Sequence, residues 1–516
     1  MRIAKPITSL GLSKGGLFLL LVGIAVRLPA LISPISEGYR NAQTAALTAN
    51  MTERGALRFD PIAPWRGDLE ARLALELPLY NLAALAVHVI PGVPLDVAGR
   101  SASLIFWILS FIALQALWRR TLPPNAAFWA NLLFIFSPMN WYLSTAFMPE
   151  SLLQLLAIWF MICTLDYASK EKWAALAGLF LAALLGLLVK FPGFVHLGLF
   201  AALVLIDRQG FMAIFKPVLI LAGLVMALSV YGWGEYVKAV NWPYFAEWSG
   251  WENVVGFVQP ERSRLSVEYW LPLAGYNTAF ISTAFCVPFI AIGIWHFVSR
   301  SRKRFASRIW IYLLIALACY WLLWGKAAPV QNYYNLPNLV FLCAAFGAGM
   351  SLFRQSLISR NIPATVWRWT CVSMALLVVF SGYVGFRYLM RPDTATIAAA
   401  AWVCENTDAS DLILYQPRHE PKVMDYQHQP LLSYLSGRRT WVWTRLTPNW
   451  EKERALATSA FLVVTTPPEN PSWLELLRQR FKGPAGDYPL PVPETTGASE
   501  WGPIHRDPLF VVYSTR

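Results

Sequence analysis

Long apolar runs separated by short polar segments dominate the chain as far as about residue 390. Runs at 16–26, 101–117, 151–165, 173–189 and 218–231 carry no charged residue. Roughly 20 apolar residues cross the hydrocarbon core of a bilayer, and that length criterion predicts about eleven membrane-spanning helices. They fall near 16–32, 100–117, 126–142, 150–165, 173–189, 194–206, 211–231, 276–297, 309–324, 333–353 and 367–386. A large soluble core does not fit, because buried helices of soluble proteins keep one polar face. The stretch 78–90 is apolar but short, and is expected to lie at the interface rather than span.

From about residue 391 the pattern becomes that of a soluble domain. Short apolar runs at 412–415, 440–443, 461–465 and 509–513 read as buried strands. Between them, Thr447 before Pro448 reads as a helix start, and Ser472 with Glu475 as a capping box. The fold class expected is therefore an all-α polytopic membrane protein carrying a small α/β domain. Residues 1–390 form the membrane part, with outer loops 33–96 and 232–275, and residues 391–516 form the soluble part.

Composition agrees with the pattern. Hydrophobic residues make up 56% of the 516 residues and charged ones 14%, against about a quarter charged in soluble domains. The net charge of +13 does not point to nucleic acid, because of where it lies. Arg2, Lys5 and Lys14 precede the first run; Arg119 and Arg120, Lys170 and Lys172, and Arg300 to Arg308 fill short loops between later ones. With a cytoplasmic N-terminus every cluster is cytoplasmic, as the positive-inside rule requires. An odd span count then puts the C-terminal domain outside, in a multi-pass protein of the inner (plasma) membrane among its lipids. The first run lacks a small-residue cleavage site and reads as a retained span. Only Cys404 falls in the soluble part, and no CxxC or HExxH spacing occurs, so neither a disulfide within that part nor a dedicated zinc site is expected. No cofactor is expected, and a divalent metal is not indicated.

Candidate chemistry gathers in the outer loops and at outer span ends. The residues are Glu37, Arg40, Asp60, Arg66, Asp68, Glu76, Glu150, Lys190, Glu252, Arg262 and Arg264. An ion-coupled carrier would instead place charge inside its spans. Local patterns stand out at Ser36-Glu37-Gly38-Tyr39-Arg40, Glu76-Leu77-Pro78, Met148-Pro149-Glu150, Lys190-Phe191-Pro192-Gly193 and Asn332-Tyr333-Tyr334-Asn335. Loop 232–275 is rich in aromatics, among them Trp233, Trp242, Trp248, Tyr269 and Trp270, which suit an interfacial belt or the wall of a sugar site.

At these residues the chain resembles the GT-C glycosyltransferases, specifically the protein O-mannosyltransferase and aminoarabinose-transferase superfamily. The resemblance implies that Glu37 is the catalytic base and that Glu150 is a second acid opening a span. Asp60 and Asp68 stand as rivals to Glu37. Leu77 occupies the position of a family lysine expected at the donor phosphate, so Lys190, Arg40, Arg262 or Arg264 would supply that charge, beside Tyr333, Tyr334 and Glu76. The function implied is inverting sugar transfer from a polyprenyl-phosphate donor to lipid A, a glycan or a protein on the outer face. A polyprenyl-linked glycan carrier (flippase) and a non-catalytic envelope assembly protein are the alternatives.

Overall fold

The computed structural model describes residues 13–35, 40–53, 62–65, 67, 71–241, 266–324, 332–416, 430–442, 461–465, 503–507 and 510–514. Among them, nine helices are long and apolar enough to cross a membrane. Nine of the eleven expected spans coincide with these. The remaining two are helical but shorter. Expected span 126–142 is split into Pro124–Phe136 and Pro138–Leu143, because Pro138 cannot donate a backbone N–H and opens a new helix capped by the Ser137 hydroxyl. Expected span 194–206 is the 14-residue helix His196–Gln209. The stretch expected at the interface is the ten-residue helix Leu79–His88, too short to span.

The chain forms two compact units. The first comprises Met1–Ser33, Leu75–Ala239 and Glu247–Met390. Its helices approach closely where small residues meet. A Cβ on Gly293 would lie 1.8 Å from the Ala345 carbonyl oxygen, and one on Gly349 would lie 1.9 Å from that of Phe289. Helices Val287–Ser301 and Asn338–Ser359 can cross at that distance only because these positions have no side chain.

The second unit comprises Pro34–Ala74, Val240–Ala246 and Arg391–Arg516. The expected outer loop 33–96 is thus divided, its first part belonging with the C-terminal residues. A five-stranded sheet has the order β2-β1-β3-β5-β4, built from β1 (Leu412–Gln416), β2 (Arg439–Val442), β3 (Phe461–Thr465), β4 (Pro503–Asp507) and β5 (Phe510–Ser514). β2, β1 and β3 run parallel, and β3, β5 and β4 antiparallel. Alternation along β1 sends Ile413 and Tyr415 to one core, with Val403 of helix Thr394–Asn406, and Leu412 and Leu414 to another with Trp441. Burial pushes the Tyr415 phenol above its usual range, a shift to which Asp393 adds, so Tyr415 is neutral there and hydrogen-bonds Thr396 at 2.8 Å. The free edge of β2 is covered by the first outer loop. Gly67 donates to the Thr440 carbonyl at 2.8 Å, and Thr440 donates to that of Pro64 at 3.0 Å. Gly67 has φ +78°, and a Cβ there would lie 2.6 Å from the Trp441 ring, so both its backbone and its neighbour require glycine. Helix Arg40–Glu53 lies in this unit too and packs on Pro430–Ser436.

Candidate functional site

Two prolines shape the site. Pro192 lies inside the apolar helix Trp173–Phe194, and Lys190 there leaves helical backbone geometry at φ −159° and ψ 84°. A proline has no N–H for the carbonyl four residues back, which here is that of Leu188. The released Leu188 carbonyl accepts the Leu77 backbone N–H at 3.0 Å. One kink therefore turns Lys190 off the helix axis and ties down the Glu76-Leu77-Pro78 segment. The second proline, Pro149, caps helix Glu150–Lys170, placing Glu150 in its first turn where the helix dipole favours an anion.

The loop before Glu150 is held independently. Tyr80 hydrogen-bonds the Gly99 carbonyl at 2.7 Å and Ser103 at 2.9 Å, and Ser103 donates to the Ala146 carbonyl at 2.6 Å. Phe147 lies directly over Gly99, where an added Cβ would come within 2.2 Å of its ring.

These supports bring Lys190, Glu150 and Glu76 together. The Lys190 ammonium forms an ion pair with Glu150 Oε1 and lies 4.0 Å from Glu76 Oε1. The Lys190 side chain is 7% exposed, that of Glu150 1% and that of Glu76 21%. The ammonium also sits 4.2 Å from the centre of the Tyr333 ring and 5.1 Å from that of Tyr334, within cation–π range. Asn335 and Asn338, both following the two tyrosines, are joined through Asn277, which opens the π-helical turn Asn277–Ser282. From the aromatic loop, Tyr269 and Leu273 pack with Trp270, Trp321 and Tyr334.

Burying a carboxylate and an ammonium costs several kcal/mol per ion, which mutual attraction offsets only with good geometry. Such a pair is weak evidence of stabilisation, and its place matters more. It lies in the wall of a cavity whose lining is otherwise mostly apolar, with Leu153, Ala157, Met161, Leu313 and Val340 contributing. Gln154 and His196 also line it. Glu150 Oε2, both polar atoms of Gln154 and His196 Nδ1 are buried without a hydrogen-bond partner among the described residues. The cavity can thus take a ligand with a polar head at Lys190 and further hydrogen-bonding groups deeper in.

Of the residues singled out in the sequence, Glu76, Glu150, Lys190, Tyr333 and Tyr334 meet here. Arg40 opens helix Arg40–Glu53 in the second unit and donates to Gln43 Oε1 at 2.6 Å. Glu37, Asp60, Arg66, Asp68, Glu252, Arg262 and Arg264 lie outside the described residues, as do Thr447 and the Ser472 box. Gln154 and His196 were not anticipated. The signal for Gln154 was present, since it falls one helical turn after Glu150 in an otherwise apolar run.

The helical architecture and this arrangement of loops define a polytopic membrane protein with the GT-C fold. The chain is similar over 98% of its length, and 99% of the other's, to ArnT from Cupriavidus metallidurans bound to undecaprenyl phosphate, with a TM-score of 0.61 and 14% identity. It is also similar to the archaeal oligosaccharyltransferase AglB from Archaeoglobus fulgidus, in complex with an inhibitory peptide and a dolichol-phosphate. There the TM-score is 0.56 and the identity 12%, over 88% of this chain and 69% of that one. Residues 78–233 match the family model for dolichyl-phosphate-mannose-protein mannosyltransferases, a stretch that contains Glu150, Gln154, Lys190 and His196. A search of curated protein sequences gave no match.

Proposed function

We propose that the chain is an inverting glycosyltransferase of the inner membrane. It would move a sugar from a polyprenyl-phosphate donor to a lipid, glycan or protein acceptor on the outer face. The observation that carries this reading is the buried Lys190–Glu150 pair, with Glu76 beside it, in the wall of a mostly apolar cavity. Solved proteins of the same fold hold undecaprenyl phosphate or a dolichol-phosphate, lipids whose anionic head and hydrocarbon tail suit such a site.

In this reading Lys190 keeps its pairing with Glu150 and exchanges the longer contact to Glu76 for the donor phosphate. Arg262 or Arg264 is assigned to complete the neutralisation of the leaving phosphate. The acceptor hydroxyl attacks the anomeric carbon from the side opposite the phosphate. Its proton goes to a carboxylate, Glu37 by family likeness, as the anomeric C–O bond breaks and its electron pair passes to the phosphate. A positioned base of this kind contributes roughly 10²–10⁴-fold, and cationic neutralisation gains strength where water is excluded.

The reading is tested by incubating purified protein with radiolabelled polyprenyl-phosphate sugars and candidate acceptors. Glu37→Gln is expected to lower turnover at least about a hundredfold without loss of folding. If Asp60→Asn or Asp68→Asn abolishes transfer while Glu37→Gln does not, the base is that aspartate instead.

A further inference from the structure

The cavity beside Lys190 is not lined as a hydrocarbon groove should be. Gln154 and His196 are each 6% exposed, and both line it. Neither Gln154 Nε2, Gln154 Oε1 nor His196 Nδ1 has a hydrogen-bond partner among the described residues. Buried polar atoms are nearly always satisfied, and leaving one unpaired forfeits more than a typical bond contributes. Three such atoms bordering one cavity therefore point to an occupant that answers them. An isoprenoid tail cannot, because it has neither donors nor acceptors.

Position narrows the occupant further. Gln154 follows Glu150 by four residues on one helix, so it lies one turn, about 5–6 Å, beyond the ionic cluster. That is the separation expected between a phosphate and the hydroxyls of a sugar attached to it. Gln154 offers a donor and an acceptor without charge, and hydroxyls both give and receive. We infer that Gln154 and His196 form the binding subsite for the hydroxyl groups of the donor's sugar ring, which enters this cavity and thereby sets the enzyme's sugar preference. The subsite takes neutral, hydroxyl-rich sugars better than ones carrying a carboxylate, which neither a buried amide nor the adjacent Glu150 can neutralise. This inference rests on the reading of the chain as a sugar transferase.

The test compares wild-type protein with Gln154→Leu and His196→Phe in lipid nanodiscs. Each is titrated with undecaprenyl phosphate, with undecaprenyl-phosphate mannose and with octyl glucoside below its micellar concentration. Gln154→Leu is close in volume and removes two orphan polar atoms, so its thermal stability should match or exceed wild type. It should bind the sugar-free lipid as wild type does, yet bind the mannosyl lipid about tenfold more weakly, the weight of one or two neutral hydrogen bonds. His196→Phe should show the same selective loss. Equal affinity of wild type and Gln154→Leu for the mannosyl lipid would overturn the subsite, as would equal weakening toward both lipids. Should wild type bind neither lipid, the transferase reading fails by itself. The glycoside then decides the subsite: binding weakened by Gln154→Leu upholds it, and binding indifferent to the variant, or no binding, refutes it.

Discussion

Two buried cations of the membrane unit, Arg27 and Lys190, are held in opposite ways. Arg27, at the end of the first span, is 0% exposed. Its guanidinium donates to Ser144 Oγ at 2.6 Å, the Ile135 carbonyl at 2.8 Å and the Gly23 carbonyl at 3.0 Å, with the Trp107 ring 3.9 Å away. Each of its nitrogens is answered by a neutral oxygen, and the charge is spread over a plane that stacks on indole. Lys190 instead pairs with carboxylates beside open space, and its neighbours Glu150, Gln154 and His196 present atoms that have no partner among the described residues. Arg27 is saturated by the packing around it, whereas Lys190 is bordered by polar atoms that have no partner among the described residues.

The largest effect should come from the saturated cation. Arg27→Ala removes three hydrogen bonds at once and opens a cavity beside Trp107, so a loss on the order of 3–5 kcal/mol is expected. Thermal unfolding in detergent should show it as a large drop in Tm or a failure to accumulate. Arg27→Lys should recover little of it, because a point-like ammonium does not reproduce the fork.

Lys190→Ala should come next, at about 3 kcal/mol, because a buried carboxylate at Glu150 is left uncompensated. Here the two cations part. The double variant Lys190→Ala/Glu150→Gln should regain most of that stability by removing the stranded charge, and should still fail in transfer. A double variant no more stable than Lys190→Ala would show that Lys190 acts through packing, as Arg27 does.

Smaller effects probe the supports. Gly99→Ala forces the Phe147 ring to shift, at about 1–3 kcal/mol, and should displace the loop leading to Glu150. Both Tm and transfer rate report that change. Tyr333→Leu removes one face of the aromatic wall around Lys190 and its cation–π contact, and should destabilise by about 0.5–2 kcal/mol, read as a small drop in Tm beside a rise in donor Kd.

How much of this was legible in the chain follows from which interactions are local. Spans and strands were, since length and periodicity set them: β3 was expected at 461–465, where it lies. β4 was not, because Pro503-Ile504-His505-Arg506-Asp507 lacks an apolar alternation, and its proline is tolerated only because it starts an edge strand. Glu150 and Lys190 stood out because the first follows a proline that starts a helix and the second precedes one that kinks a helix. Their pairing across 40 residues, and the transfer of the Leu188 carbonyl to Leu77, depend on tertiary placement that no local pattern carries. The division of the first outer loop between two units was hidden for the same reason, since Gly67 looks like an ordinary turn glycine until Trp441 lies against it.

The most direct test of the account is transfer by the charge-neutral double variant. Purified Lys190→Ala/Glu150→Gln, shown to be folded by its Tm, is given labelled polyprenyl-phosphate sugar and acceptor beside wild type. The account predicts labelled product from wild type and at least about a hundredfold less from the variant, since the leaving phosphate has lost the cation that stabilises its developing charge. Near-wild-type product from the folded variant would contradict it, as would wild-type protein that moves the labelled lipid between leaflets and forms no product.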